Sequence, residues 1–319
     1  MEEQTSQRSQ SLRDTQPAGS NAHEPLTFSQ MWRDRVIERR RPDDATVWDK
    51  RITDSPNRFR PGAYSQQFLA LANLQPGDTV FDMGCGAGTL AIPCAEAGHQ
   101  VTAADFSAAM LAQLQANAAG YSPDAQSRIT TLQLSWADDW QAAGIAPRSF
   151  DVAFASRSII TEDLEDSIRK LSAVASRKVC VTVTPGDSPK VFKALFDDLG
   201  LTFTGHPDAS FVFAVATELG FRPEVTYLYS RRQDYFPDAE AAFAKYRDML
   251  PLADQHPEGP ELQRLEDELR RWLSAHLVPV SQCGRPLEED ALGADGDPEH
   301  LLTTDAERIA TWAFITWEV

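Results

Sequence analysis

The run Asp82-Met83-Gly84-Cys85-Gly86-Ala87-Gly88 constrains this chain more than any other stretch. It follows the apolar Thr79-Val80-Phe81 and precedes the small-residue segment Thr89-Leu90-Ala91-Ile92, so it reads as a strand, a glycine loop and a helix. Glycines at such a junction permit a tight turn and let backbone N–H groups approach a ligand closely. The segments that follow repeat the alternation. Strands are predicted at 79–83, 100–104, 129–134, 150–155 and 178–184, with helices at 88–97, 108–119 and 162–175 between them. Gly98 and Gly120 close the first two helices, and Ser107 can cap the second. Strands alternating with helices of this length predict an α/β fold, a doubly wound and mostly parallel sheet with right-handed crossovers.

Beyond residue 187 the pattern loosens. Helices are predicted at 189–199, 208–219, 238–250 and 260–276, and late strands at 224–230 and 308–317. These two strands would complete a seven-stranded sheet as an antiparallel hairpin at its edge. The chain then divides into a polar, disordered tail (1–25), an N-terminal helical lid (26–75), a core (76–231), a helical insertion or cap (232–305) and a last core strand (306–319). The Gly-, Pro- and Asp-rich stretch 284–298 reads as an exposed loop.

Charge narrows the function classes. Thirty Lys and Arg against 47 Asp and Glu leave a net charge of −17, the opposite of the basic surface that a general nucleic-acid binder carries. The one basic cluster, Arg33, Arg35, Arg39, Arg40 and Arg41, reads as a solvated helix end, with an anionic or nucleic-acid contact as its rival. No run of 18 apolar residues occurs, so no membrane span is expected. The polar N-terminus lacks an apolar signal core, which argues for a cytoplasmic protein. Cys85, Cys94, Cys180 and Cys283 form no CxxC pair, and the six histidines are scattered. Reduced structural thiols and no metal site are expected.

Three features narrow the ligand. Thr89 stands where the dinucleotide-binding fingerprint requires its third glycine or alanine, while Asp105, about 20 positions after the loop, suits either nucleotide class. Asp82 at the strand end would repel a pyrophosphate and attract an ammonium or sulfonium group. The loop Trp136-Ala137-Asp138-Asp139 can set an aromatic face and a carboxylate beside a purine, and Phe150-Asp151-Val152-Ala153-Phe154-Ala155-Ser156 follows at the distance of a fourth strand.

Together these motifs resemble the class I S-adenosylmethionine-dependent methyltransferases over roughly residues 60–185. The run VFDMGCGAGTLAIPCAEAGHQVTAADFSAAMLAQL is especially similar to the ubiquinone- and menaquinone-biosynthesis type. The resemblance implies a Rossmann-like fold, S-adenosylmethionine as cofactor with S-adenosylhomocysteine as product, and a small-molecule methyl acceptor. It implies that Asp82 and the loop Gly84, Cys85, Gly86, Gly88 and Thr89 hold the methionine moiety, and that Asp105 accepts from both ribose hydroxyls. Phe106 and Met110 would pack near the adenine. Trp136, Ala137 and Asp138 would line its other edge, with Asp138 or Asp139 reaching the amino group. Ser156 would face the methyl donor, and Tyr64 would close over the cofactor.

Methyl transfer from a sulfonium needs alignment and exclusion of water, and a base only where the acceptor is neutral. Arg157 could pair with an anionic substrate or form a structural salt bridge to Asp138, Asp139 or Glu162. Glu162 and His206 are the base candidates. The strand end Ala155-Ser156-Arg157-Ser158 differs from the Asn/Asp-Pro-Pro-aromatic motif of amino-group methylases, and Thr184-Pro185-Gly186-Asp187 lacks the Asp-Asn pair of the magnesium-dependent catechol type. Phe203, Phe211, Phe213, Tyr235 and Phe236 could line an apolar acceptor cavity or belong to ordinary core. An RNA-modifying enzyme and a catalytically silent, cofactor-binding regulator are the alternatives. The reading leaves room for a homodimer.

Overall fold

A computed structural model describes residues 26–37, 45–54, 62–186, 189, 191–284 and 301–319. The predicted disordered tail, Arg39 to Arg41 and nearly all of the predicted loop 284–298 lie outside the described residues.

Three helices precede the sheet, α1 (Phe28–Ile37), α2 (Ala45–Asp54) and α3 (Ala63–Ala72). Then come β1 (Thr79–Met83), α4 (Ala91–Glu96), β2 (Gln100–Asp105), α5 (Ala108–Ala118), α6 (Pro123–Arg128), β3 (Ile129–Gln133), β4 (Phe150–Ser156), α7 (Leu164–Val174) and β5 (Ala175–Val183). The rest comprises α8 (Lys193–Asp198), α9 (Asp208–Glu218), β6 (Glu224–Arg232), α10 (Ala239–Arg247), α11 (Gly259–His276), β7 (Leu277–Pro279), β8 (Leu302–Thr304) and β9 (Arg308–Glu318). Ser107 caps α5 as predicted, its hydroxyl accepting from Met110 N–H.

The seven-stranded sheet runs β3-β2-β1-β4-β5-β9-β6. Strands β1 to β5 pair parallel, and β9 lies antiparallel to both β5 and β6. The expected edge hairpin is therefore present, with the last strand threaded between β5 and β6. The sheet is Rossmann-like, with helices on both faces. A small β7-β8 ladder, absent from the prediction, lies beside it.

Alternation along the central strands sends side chains to opposite cores. Phe81, Met83, Ala153, Ala155, Val179 and Val181 pack with Trp32 of α1, Leu171 of α7 and Val212 of α9. Val80, Val152, Phe154 and Cys180 pack with Phe68 of α3, Cys94 of α4 and Leu114 of α5. Both faces are covered, which is why the strands read as nearly continuous apolar runs. Trp32 is fully buried and donates from its indole N–H to Thr161 O at 3.0 Å, so α1 is bolted to the α7–α9 face.

A third core joins the insertion to the segment before α9. Phe192, Leu195 and Phe196 pack with Phe236, Tyr246, Leu269 and Trp272. Asp234 ties this unit to β9. Burial works against its carboxylate charge, but Lys245 at 2.5 Å and Arg308 at 2.6 Å hold its pKa below the usual range. No helix among the described residues is long and apolar enough to cross a membrane.

Candidate functional site

The glycine loop is shaped by its neighbours on both sides. Gly84 N–H and Cys85 N–H both donate to Ala104 O, at 2.7 and 3.0 Å, which bends the chain sharply off β1. Gly84 has φ +75°, and a Cβ there would stand 2.3 Å from Ser158 Cβ. That close approach lets Ser158 Oγ donate to Met83 O at 2.6 Å, joining the loop after β4 to the end of β1. Gly86, at φ +54°, has nothing within 4 Å of where its Cβ would be. Gly88 serves packing, since a Cβ would lie 2.9 Å from Ile92 and 3.0 Å from Leu114. Cys85 is buried and its thiol is pushed well above its usual pKa by burial, so it is an inert wall of the loop.

Asp82 is the outstanding group. It is 1% exposed, and among the described residues neither carboxylate oxygen has a hydrogen-bond partner. Burial, reinforced by Asp105 and eased by Arg157, pushes its pKa up to about 7. Asp105 closes the other side. Its oxygens accept from Gly86 N–H and Ser107 N–H, both at 2.9 Å, and burial raises its pKa despite those bonds. Asp49 of α2 accepts from Ser107 Oγ at 2.6 Å and adds a further negative charge beside Asp105. Three carboxylates thus gather around a backbone cradle. An unpaired buried carboxylate is costly unless a cation completes it, so the cradle fits a ligand bearing an ammonium or sulfonium group.

The remaining predicted residues separate into two groups. Met110 is buried with Ile52 and Ala87, against Trp48 of α2, so α2 covers the glycine loop at Ala87. Phe106 is half-buried at the end of β2, and Thr89 is half-buried after Gly88. Trp136 packs on Trp140, ring centroids 5.3 Å apart, while its carbonyl accepts from Lys170. The carboxylates of Asp138 and Asp139 accept backbone N–H groups of their own loop, from Ser135 at 2.8 Å and from Gln141 and Ala142 at 3.0 Å. A cleft of about 400 Å³ opens behind this loop against α7, lined by Ala137, Asp138, Trp140 and Lys170 among others, and no glycine-loop residue reaches it.

At the mouth of the sheet a hydroxyl cluster forms. Tyr64 Oη lies 2.7 Å from Ser156 Oγ and 2.6 Å from Thr182 Oγ1. Thr182 is fully buried, so Tyr64→Phe leaves its hydroxyl a partner short. The expected loss is about 1–2 kcal/mol in urea unfolding. Thr182 and its neighbour Trp312 are invisible to motif reading, because each lies inside an apolar strand pattern; a polar residue at a strand's C-terminal end was the available signal for Thr182.

Arg157 does not form the structural salt bridge that was one of its two expected roles. None of Asp138, Asp139 and Glu162 pairs with it. Its guanidinium instead lies 4.7 Å from the centroid of the Tyr64 ring and 5.4 Å from that of Trp312. Its backbone is left-handed at φ +63°, at a cost of about 1–2 kcal/mol, and is held there by its N–H donating to Thr182 O at 2.9 Å. Glu162 is exposed and His206 lies in the exposed loop before α9, where its carbonyl accepts from Asp208 N–H. The five aromatics proposed to line one cavity are divided. Phe211 packs on Trp32, Phe203 and Phe236 belong to the insertion core, and Phe213 is exposed. The division follows from α9 crossing the sheet face while α8 joins the insertion. In the basic cluster, Arg33 pairs with Asp163 at 3.1 Å and Glu165 at 3.6 Å, and Arg35 lies over Phe211.

Residues 80–178 match the family model described as a methyltransferase domain. This stretch is a methyltransferase domain. A 137-residue segment is 39% identical to an uncharacterised protein of Haemophilus influenzae, covering 42% of this chain and 48% of that protein. The chain thus spans about half the length of the curated relative it matches. A putative methyltransferase of Bacillus halodurans aligns with a TM-score of 0.47 and 11% identity over 81% of this chain and 99% of its own. Magnesium protoporphyrin IX methyltransferase of Synechocystis, with bound S-adenosylhomocysteine, aligns at 0.39 and 21% over 65% and 89%. The methyltransferase domain contains the glycine loop, Asp82, Asp105 and the strand end that carries Arg157.

Proposed function

We propose that the protein transfers a methyl group from S-adenosylmethionine to a small-molecule acceptor. The observation that carries this reading is the buried carboxylate of Asp82, unpartnered at the end of β1 beside the glycine cradle. When bound, the cofactor supplies a methyl group on a sulfonium, with a neutral thioether as leaving group.

The chain's own residues hold and orient. Asp82 takes the ammonium of the methionine moiety, and the backbone of Gly84 to Gly88 receives the rest of it. Asp105, held by the N–H groups of Gly86 and Ser107, accepts from the ribose hydroxyls. Phe106 borders the adenine side. The cover of α2 over the glycine loop excludes water, and water exclusion strengthens the attraction between Asp82 and a cation. Ser156 and Tyr64 close the methyl-donor side of the mouth.

Calorimetric titration of the full chain tests this. S-adenosylmethionine and S-adenosylhomocysteine are expected to bind in the micromolar range and NADH not at all. Asp105→Ala is expected to weaken both by roughly 10–100-fold, the scale of about 1–3 kcal/mol for lost hydrogen bonds to a charged group. No binding in the wild type, or unchanged affinity in the variant, would remove the assignment.

A further inference from the structure

We propose that Arg157 seats a carboxylate or phosphate group of the methyl acceptor, so that the acceptor is an anionic small molecule held at the mouth of the sheet beside Tyr64 and Trp312. This inference rests on the methyl-transfer reading and names the substrate class for that site.

Among the described residues no hydrogen bond uses the guanidinium's donors. The rings of Tyr64 and Trp312 lie 4.7 and 5.4 Å from its central carbon. Aromatic faces satisfy the π surface of a guanidinium and consume none of its N–H groups, which form a fork matched to carboxylate and phosphate oxygens. Among the described residues no carboxylate forms an ion pair with Arg157, in a chain with 47 acidic and 30 basic residues. Arg33, Arg177 and Arg308 each find one. The residue is exposed, so its fork is accessible.

The backbone supports a purpose for that placement. A left-handed arginine persists only where its surroundings over-determine it, and such outliers cluster at ligand sites. Here the φ of +63° comes directly after Ser156, at the C-terminal end of β4 where open α/β sheets bind ligands. Asp82 senses the guanidinium's field yet makes no hydrogen bond to it. One mouth therefore presents a buried anion for the cofactor's cation and an open cation for a second ligand.

Ligand-observed NMR on the full chain saturated with S-adenosylhomocysteine tests this with benzoate and phenyl phosphate as anionic probes and benzamide as the neutral one. The wild type is expected to bind both anions at least about tenfold more tightly than benzamide. Arg157→Asn, whose side chain tolerates the left-handed backbone, is expected to weaken both anions about tenfold or more. At pH 8.5, where Asp82 is ionised with or without the guanidinium's field, it should leave benzamide and S-adenosylhomocysteine affinities unchanged. Equal anion binding in variant and wild type, or no preference over benzamide, overturns the proposal. A parallel loss of S-adenosylhomocysteine affinity also overturns it, by assigning the guanidinium to the cofactor's own carboxylate. If the wild type binds no S-adenosylhomocysteine, the methyl-transfer reading falls and the acceptor assignment with it. The anion titration without cofactor then reports separately on the seat itself.

Discussion

Asp82→Asn is expected to stabilise the ligand-free protein by about 1–3 kcal/mol at pH 8 and to weaken S-adenosylhomocysteine binding by roughly 30–100-fold. The two effects have one cause. The carboxylate is buried with no hydrogen-bond partner among the described residues, so its charge costs the fold free energy that a cationic ligand returns. The pH dependence follows from the raised pKa. In the unfolded chain the group titrates near 3.8, and in the fold near 7. Between those values the folded state holds a proton that the unfolded chain has released, so this group's contribution to stability falls as pH rises through the window. Asp105, also raised by burial, acts in the same direction.

Urea midpoints at pH 5.5 and pH 8 should therefore differ more in the wild type than in Asp82→Asn. Ligand binding runs the other way. An ammonium group requires Asp82 ionised, so affinity should rise about tenfold per pH unit up to about pH 7 and then level off. In the variant this dependence should flatten. Calorimetry in buffers of different ionisation enthalpy should detect proton release near pH 7. A variant less stable than the wild type at pH 8 would show that Asp82 is satisfied in the ligand-free protein.

Gly84→Ala is expected to cost about 3 kcal/mol or more and to abolish S-adenosylhomocysteine binding. The added Cβ meets Ser158 at 2.3 Å for Cβ and 2.7 Å for Oγ, and φ of +75° disfavours any side chain. Ser158 cannot simply turn away, because its hydroxyl is anchored to Met83 O. Gly86→Ala is the control. Its Cβ meets nothing within 4 Å, so only the left-handed strain remains, about 1–2 kcal/mol. The double change Gly84→Ala with Ser158→Gly should recover the steric part of the loss. Thermal unfolding and calorimetry on the four proteins separate the two terms, and equal losses for Gly84→Ala and Gly86→Ala would refute the packing account.

The fold was largely legible in the sequence because its signals are local. The apolar strands, the glycine loop and the Ser107 cap each depend on neighbours a few residues away, and all three stand where predicted. The short ladder of β7 and β8 was not legible, since three-residue strands carry no periodicity. In the site, Asp82, Gly84 and Asp105 could be named from spacing because one turn of chain after a strand sets their positions. Asp49, Ser158, Thr182 and Trp312 could not, because each comes from a distant element and carries no motif.

The amino-acid sequence by itself determined a doubly wound sheet with a glycine cradle and an acidic mouth. Strand and helix periods and left-handed glycines are properties of short segments, independent of the rest of the chain. The tertiary structure decided what surrounds that mouth. Threading β9 between β5 and β6 carries Trp312 to the end of β4, and docking α3 on the same face carries Tyr64 there. Arg157 could therefore find two aromatic rings in place of a carboxylate. Which partner a charged side chain meets depends on long-range register, and no local preference of the chain encodes that.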